Sequence, residues 1–128
     1  MSKNEVLLAL IVEDEAEAVT VLEAALRAAG FETVVVRDGP TAMSHLGMVV
    51  PTVVVLDLAL PGISGTDILA QIREDARLKD CRVIVVTGVP VLIDDVKETA
   101  DLVLVKPFSI GQLRDFAMRL AETRTENQ

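Results

Sequence analysis

Hydrophobic and polar positions divide the chain into two alternating kinds of segment. Short apolar runs stand at 6–12 ("VLLALIV"), 32–36 ("ETVVV"), 52–56 ("TVVVL"), 82–86 ("RVIVV") and 102–105 ("LVLV"). Several are continuously apolar, the pattern of parallel strands covered on both faces. Longer amphipathic segments lie between them. Val19, Leu22, Leu26 and Ala29 share one helical face, and Gly30 ends that helix. "DGPTAMSHLG" predicts a short second helix with Pro40 near its start and Gly47 at its end. In the third, over 66–76, Ile68, Leu69, Ile72 and Ala76 fall on one side. Ser109 reads as the N-cap of a last helix with Ile110, Leu113, Phe116, Ala117 and Leu120 inward. The fourth helix, within 91–99, is short, polar in "DDVKET" and preceded by Pro90. Five strands alternating with five helices predict a (βα)5 α/β domain with right-handed crossovers over 1–122, followed by a polar, fraying tail at 123–128.

Composition narrows this picture. A chain of 128 residues suits one domain, which would bury about two-thirds of its unfolded surface. Apolar residues make up 51% and aromatic residues 2%, so the core must be aliphatic. The net charge of −8 opposes binding to nucleic-acid phosphates or anionic membranes and suits a basic partner or a metal cation. Nucleic acid is therefore not an expected partner. The single Cys81 excludes an internal disulfide and fits a reducing compartment. The longest apolar run is too short to span a bilayer, and it lacks the features of a signal peptide. The expected location is the cytoplasm, without membrane insertion.

Function in a doubly wound sheet collects at the carboxyl ends of the strands. The first strand ends in Glu13 and Asp14, the third in Asp57, the fourth in Thr87 and Gly88, and the fifth in Lys106 and Pro107. Asp57 closes an otherwise apolar run, and a buried carboxylate costs free energy without a partner. Two carboxylates about 4 Å apart repel by roughly 4 kcal/mol at an effective dielectric of about 20. A hard divalent cation relieves that repulsion, and Mg²⁺ takes one or two carboxylates together with water and phosphate oxygens. Lys106 offers a point charge for a phosphoryl oxygen, and Thr87 offers a hydroxyl. These are the parts that phosphoryl transfer needs, with Asp57 itself able to serve as the nucleophile.

"ALIVEDE", "VVVLDLALPGISG", "VIVVTG" and "LVKPF" resemble, in order and approximate spacing, the receiver domains of bacterial response regulators, across roughly residues 6 to 122. The resemblance implies a flavodoxin-like sheet of order 2-1-3-4-5. It makes Asp57 the phosphoacceptor, charged by a histidine kinase or histidine phosphotransfer protein. Asp14 would bind Mg²⁺, or Mn²⁺ in its place, with Glu13 assisting and Asp57 and the backbone carbonyl of Ala59 as further ligands. Lys106 would pair with Asp57 and then with the phosphoryl group, while Thr87 carries the conformational signal. Gly88 belongs to the loop geometry, and Pro107 would follow a cis peptide bond. The implied protein is a stand-alone single-domain switch acting on a downstream protein, not an enzyme with a separate substrate, although it would promote its own phosphorylation and dephosphorylation.

Two features depart from the family. Val103 stands where an inward-swinging Tyr or Phe is usual, and the interval from Thr87 to Lys106 is short, which truncates the fourth helix. Other readings compete. Asp14, Asp57 and Lys106 could form a structural ion-pair network, Thr87 could be an ordinary strand-end hydroxyl, and Glu13 could be a solvated charge or a helix cap. His45 reads as a surface or capping residue, and Cys81 as structural. A phosphorylation-independent adaptor keeps the fold without the chemistry. An aspartate-nucleophile phosphatase needs a second carboxylate where Ala59 stands, and no glycine-rich loop for a nucleotide follows the first strand.

Overall fold

The computed structural model describes residues 6–126. Its strands are β1 (Leu8–Val12), β2 (Glu32–Val36), β3 (Val53–Asp57), β4 (Arg82–Thr87) and β5 (Leu102–Val105). All neighbours pair in parallel, in the order β2-β1-β3-β4-β5. The α-helices are α1 (Ala16–Ala28), α2 (Gly39–Leu46), α3 (Gly65–Glu74) and α4 (Ile110–Glu126).

The continuous apolar runs are explained by this layering. Alternate strand residues point to opposite faces, and both faces are covered. Ala9, Ile11, Val53, Val55, Ile84 and Val86 pack with residues of α1 and α4 such as Leu22, Leu26, Leu113 and Ala117. Leu10, Val12, Val54, Leu56, Val83 and Val85 pack with Ala42 and Leu46 of α2 and with Ile68, Leu69 and Ile72 of α3. Every residue of β3 is buried, which fixes Asp57 at the end of the most enclosed strand.

The amphipathic segments hold with four adjustments. The fourth helix shrinks to a 3₁₀ segment, Pro90–Asp95. Its apolar anchors Leu92, Val96 and Ala100 pack with Val103 on the core, and the intervening polar residues leave too narrow an apolar stripe for an α-helix. The third helix ends at Asp75, whose backbone is extended and whose side chain caps a 3₁₀ turn, Ala76–Leu78. Leu78 consequently takes the core place expected for Ala76, which is exposed. Ile110, expected inward, is 50% exposed at the first turn of α4. Finally, α4 runs on to Glu126, past the expected domain end at 122, because its last turns contain no Gly or Pro to stop it. The rest of the expected tail, residues 127–128, lies outside the described residues.

Gly30 ends α1 region as expected, with φ +99, a left-handed conformation that glycine adopts without a Cβ penalty.

Candidate functional site

Parallel pairing brings the ends of β1, β3, β4 and β5 to one edge. The ladder continues slightly beyond the strands: Glu13 N–H donates to the Val36 carbonyl at 3.0 Å, and Lys106 N–H donates to the Thr87 carbonyl at 2.8 Å. Those bonds carry Glu13 and Lys106 out of their strands with defined orientation. Asp57 lies opposite Val86, one residue short of Thr87.

Three carboxylates meet there. Ligand oxygens of Glu13, Asp14 and Asp57 lie within 4.8 Å of one another. Glu13 and Asp57 are buried, at 0% and 4% exposure, whereas Asp14 faces solvent. Glu13 is thus not a solvated charge, and its Oε2 accepts the N–H of Glu15, the N-cap residue of α1. Burial, then the hydrogen bond and charge of Asp57, push the Glu13 carboxyl up to about 7, while the Glu15 N–H and Lys106 pull the other way. Asp57 Oδ1 accepts the Ala59 N–H at 3.0 Å, an interaction that orients the carboxylate at the start of the loop.

Lys106 is the cation of the cluster. Its Nζ stands 3.1 Å from Glu13 Oε1, 3.4 Å from Asp57 Oδ2 and 2.8 Å from Glu15 Oε1. Burial alone would lower its pKa, but hydrogen bonds to Glu15 and Glu13 and the charge of Asp57 outweigh that and raise it. The Lys106–Pro107 peptide bond is cis, as the resemblance implies.

One cation does not satisfy this set. Glu13 Oε1 is buried and has no hydrogen-bond partner, since Lys106 meets it as a charge without hydrogen-bond alignment. An orphaned buried oxygen beside two further carboxylates is a hard, all-oxygen donor set, and it fits a divalent cation.

The remaining expected residues are placed less directly. Thr87 is buried at 1% exposure, and its hydroxyl is engaged within its own loop: it accepts the Val89 N–H at 2.9 Å and donates to the Val89 carbonyl at 3.3 Å. A β-carbon on Gly88 would meet Lys106 Cβ at 3.9 Å, an ordinary contact, so no close approach demands glycine there. Val103 is half-buried and packs on the same core layer as Leu92 and Val96, opposite Val85 and two residues short of the Thr87 level in the ladder. His45 sits in the last turn of α2, away from this edge, and Cys81 is buried ahead of β4 with its thiol pushed up to about 12 by burial.

Glu15 is the residue that the sequence reading passed over. The run "EDE" at the end of β1 contained its signal, a third acid after the pair. Gly65, inside the fragment "VVVLDLALPGISG", is a second residue that the sequence does not single out. Its N–H donates to the Leu58 carbonyl at 3.1 Å, and a β-carbon there would collide with the Asp57 carbonyl oxygen.

The model of the response regulator receiver domain family matches residues 9–117. The chain belongs to that family. Among curated relatives, the sensory transduction protein RegX3 of Mycobacterium tuberculosis is 41% identical over 107 residues, which cover 81% of this chain and 46% of the relative. The DNA-binding response regulator MtrA of the same organism is 32% identical over 104 residues, with the same coverage. The chain therefore spans a little under half the length of these relatives. Because MtrA is named for DNA binding, the expectation that nucleic acid is no partner gains no support. The charge argument concerns this domain's surface only. Among solved structures, the response regulator TrrA of Thermotoga maritima, crystallised with Mg²⁺ and beryllofluoride, superposes with a TM-score of 0.78 at 28% identity, covering 88% of this chain and 97% of that one. No helix among the described residues is long and apolar enough to cross a membrane.

Proposed function

We infer that this receiver domain is a phosphoacceptor switch in which Asp57 takes a phosphoryl group from a phosphohistidine of a sensor kinase or phosphotransfer protein. The observation that carries the reading is the pairing of a buried Asp57 carboxylate with Lys106 Nζ at 3.4 Å inside a cluster of acids that one lysine leaves unsatisfied. An Asp57 carboxylate oxygen attacks phosphorus, an O–P bond forms, and the N–P bond to the donor imidazole breaks with its electron pair leaving on nitrogen. The product is an acyl phosphate. Glu13, Asp14, Asp57 and the Ala59 carbonyl would hold Mg²⁺, or Mn²⁺ in its place. When bound, the cation supplies positive charge against the phosphoryl oxygens.

This chain's residues do the rest. The Ala59 N–H holds the Asp57 carboxylate in orientation. Lys106 meets the new charge on the phosphoryl group. Thr87 would exchange its Val89 partners for a phosphoryl oxygen, moving the β4 loop and shifting the population between two surfaces read by a downstream protein. With Val103 in place of an aromatic, that shift would be expressed through the loop after Thr87 and through α1 in place of a swinging ring. Acyl phosphates are reducible, so borohydride treatment of the phosphorylated domain followed by peptide mapping tests the reading. Conversion of Asp57 to homoserine supports it; modification at another carboxylate overturns it.

A further inference from the structure

The shortest contact of Lys106 is not with the phosphoacceptor. Its Nζ lies 2.8 Å from Glu15 Oε1, within the range of a strong charge-assisted hydrogen bond, but 3.4 Å from Asp57 Oδ2, beyond it. The Glu15 side chain is 65% exposed and the Lys106 side chain 22% exposed, so the pair spans the rim of the site. Glu15 is also held from below: its N–H donates to Glu13 Oε2 at 3.1 Å, which ties the first turn of α1 to the buried acid. The lysine is therefore suspended between one outer carboxylate and two inner ones.

We propose that Glu15 is a positioning residue that restrains Lys106 at the rim in the unphosphorylated domain and releases it when the phosphoryl group forms on Asp57. This rests on the phosphoacceptor reading above. An ammonium group drawn toward two or three new phosphoryl oxygens must lengthen its bond to Glu15, whose carboxylate those oxygens repel. An interaction made before the reaction and weakened during it slows the reaction and disfavours its product. Glu15 thus sets the threshold for occupation of Asp57, and its freed side chain at the start of α1 marks the phosphorylated state on the surface.

The test compares wild type with Glu15→Gln and with Glu17→Gln, which removes the same charge from the same turn without a contact to Lys106. Two readings are taken at saturating Mg²⁺: the rate of phosphorylation by acetyl phosphate, and the equilibrium affinity for beryllofluoride followed by NMR. Glu15→Gln should raise both by about two- to five-fold, the scale of one exposed ion pair. The gain should shrink toward one as salt screens the pair, and Glu17→Gln should stay near wild type. Normal phosphorylation of wild type with an unchanged or slower Glu15→Gln, or an equal gain in Glu17→Gln, would overturn this inference and leave the phosphoacceptor reading intact. Failure of wild type to take up either group would overturn both.

Discussion

Gly65 and Asp57 are fitted against each other at the backbone. A β-carbon on Gly65 would strike the Asp57 carbonyl oxygen and lie 2.6 Å from Leu58 Cα. The first turn of α3 thus packs directly on the end of β3, and only glycine allows it. Gly65→Ala should destabilise the domain by about 1–3 kcal/mol, the usual cost of overpacking, as read by urea unfolding. Because the strain falls on Asp57 itself, metal affinity should fall with stability, which an overpacked site elsewhere in the core would not cause.

Arg73 provides a second, independent restraint at the opposite edge of the sheet. Its guanidinium donates to the Thr99 carbonyl at 2.8 Å, the Cys81 carbonyl at 2.9 Å and Asp101 Oδ2 at 2.8 Å. Asp101 in turn accepts the Val83 N–H at 2.7 Å. With the fourth helix reduced to a 3₁₀ turn, this fork fastens the chain entering β5. Arg73→Ala should cost about 1.5–3 kcal/mol, the scale of a hydrogen bond to a charged group. Arg73→Lys should recover little, since an ammonium cannot reach three acceptors set in a planar fork. Chemical denaturation of the two variants distinguishes these outcomes from a simple charge effect.

The acid cluster makes a prediction about pH in the absence of metal. Burial holds the Glu13 carboxyl near 7 in the folded domain, above its ordinary value of 4.5. A raised folded pKa means that folding takes up a proton between those values. Glu13 therefore contributes stability below about pH 4.5 that is lost as pH rises through about 7. Thermal unfolding in a chelator should show the difference between wild type and Glu13→Gln: relative to the variant, wild type should weaken as pH rises across that window. A difference that stays constant with pH would contradict the burial argument.

Added Mg²⁺ should reverse the penalty by binding only the folded domain, raising Tm in a concentration-dependent way. Glu13→Gln and Asp57→Asn should each blunt that rise, and a chelator should abolish it. A Tm indifferent to Mg²⁺ in wild type would mean that the three carboxylates are not a cation site.

Much of this architecture was legible in the sequence because its signals are strong. The five apolar runs are short and several are uninterrupted and rich in β-branched residues, so their reading as parallel strands followed directly, and the residues at their ends named Glu13, Asp14, Asp57, Thr87 and Lys106. Strand order was not legible from periodicity, which says nothing of lateral placement; it came from the resemblance. Ala76 was misplaced because helical periodicity continues on paper past Asp75, where the backbone turns extended, and Ile110 because it stands in the first turn of α4 on the exposed side. Glu15 and Gly65 were missed for a different reason. Their roles depend on a single distance, between Glu15 and Lys106, and on a backbone collision, between Gly65 and Asp57. Neither leaves a periodic trace.

Asp57 as phosphoacceptor, helped by a divalent cation, is the reading on which the proposed switch depends. Intact mass after incubation with acetyl phosphate, with and without Mg²⁺, tests it most directly in wild type and Asp57→Asn. Wild type should gain one phosphoryl group only with Mg²⁺, and the variant none. Equal labelling without Mg²⁺, labelling of Asp57→Asn, or no labelling of wild type would contradict that reading.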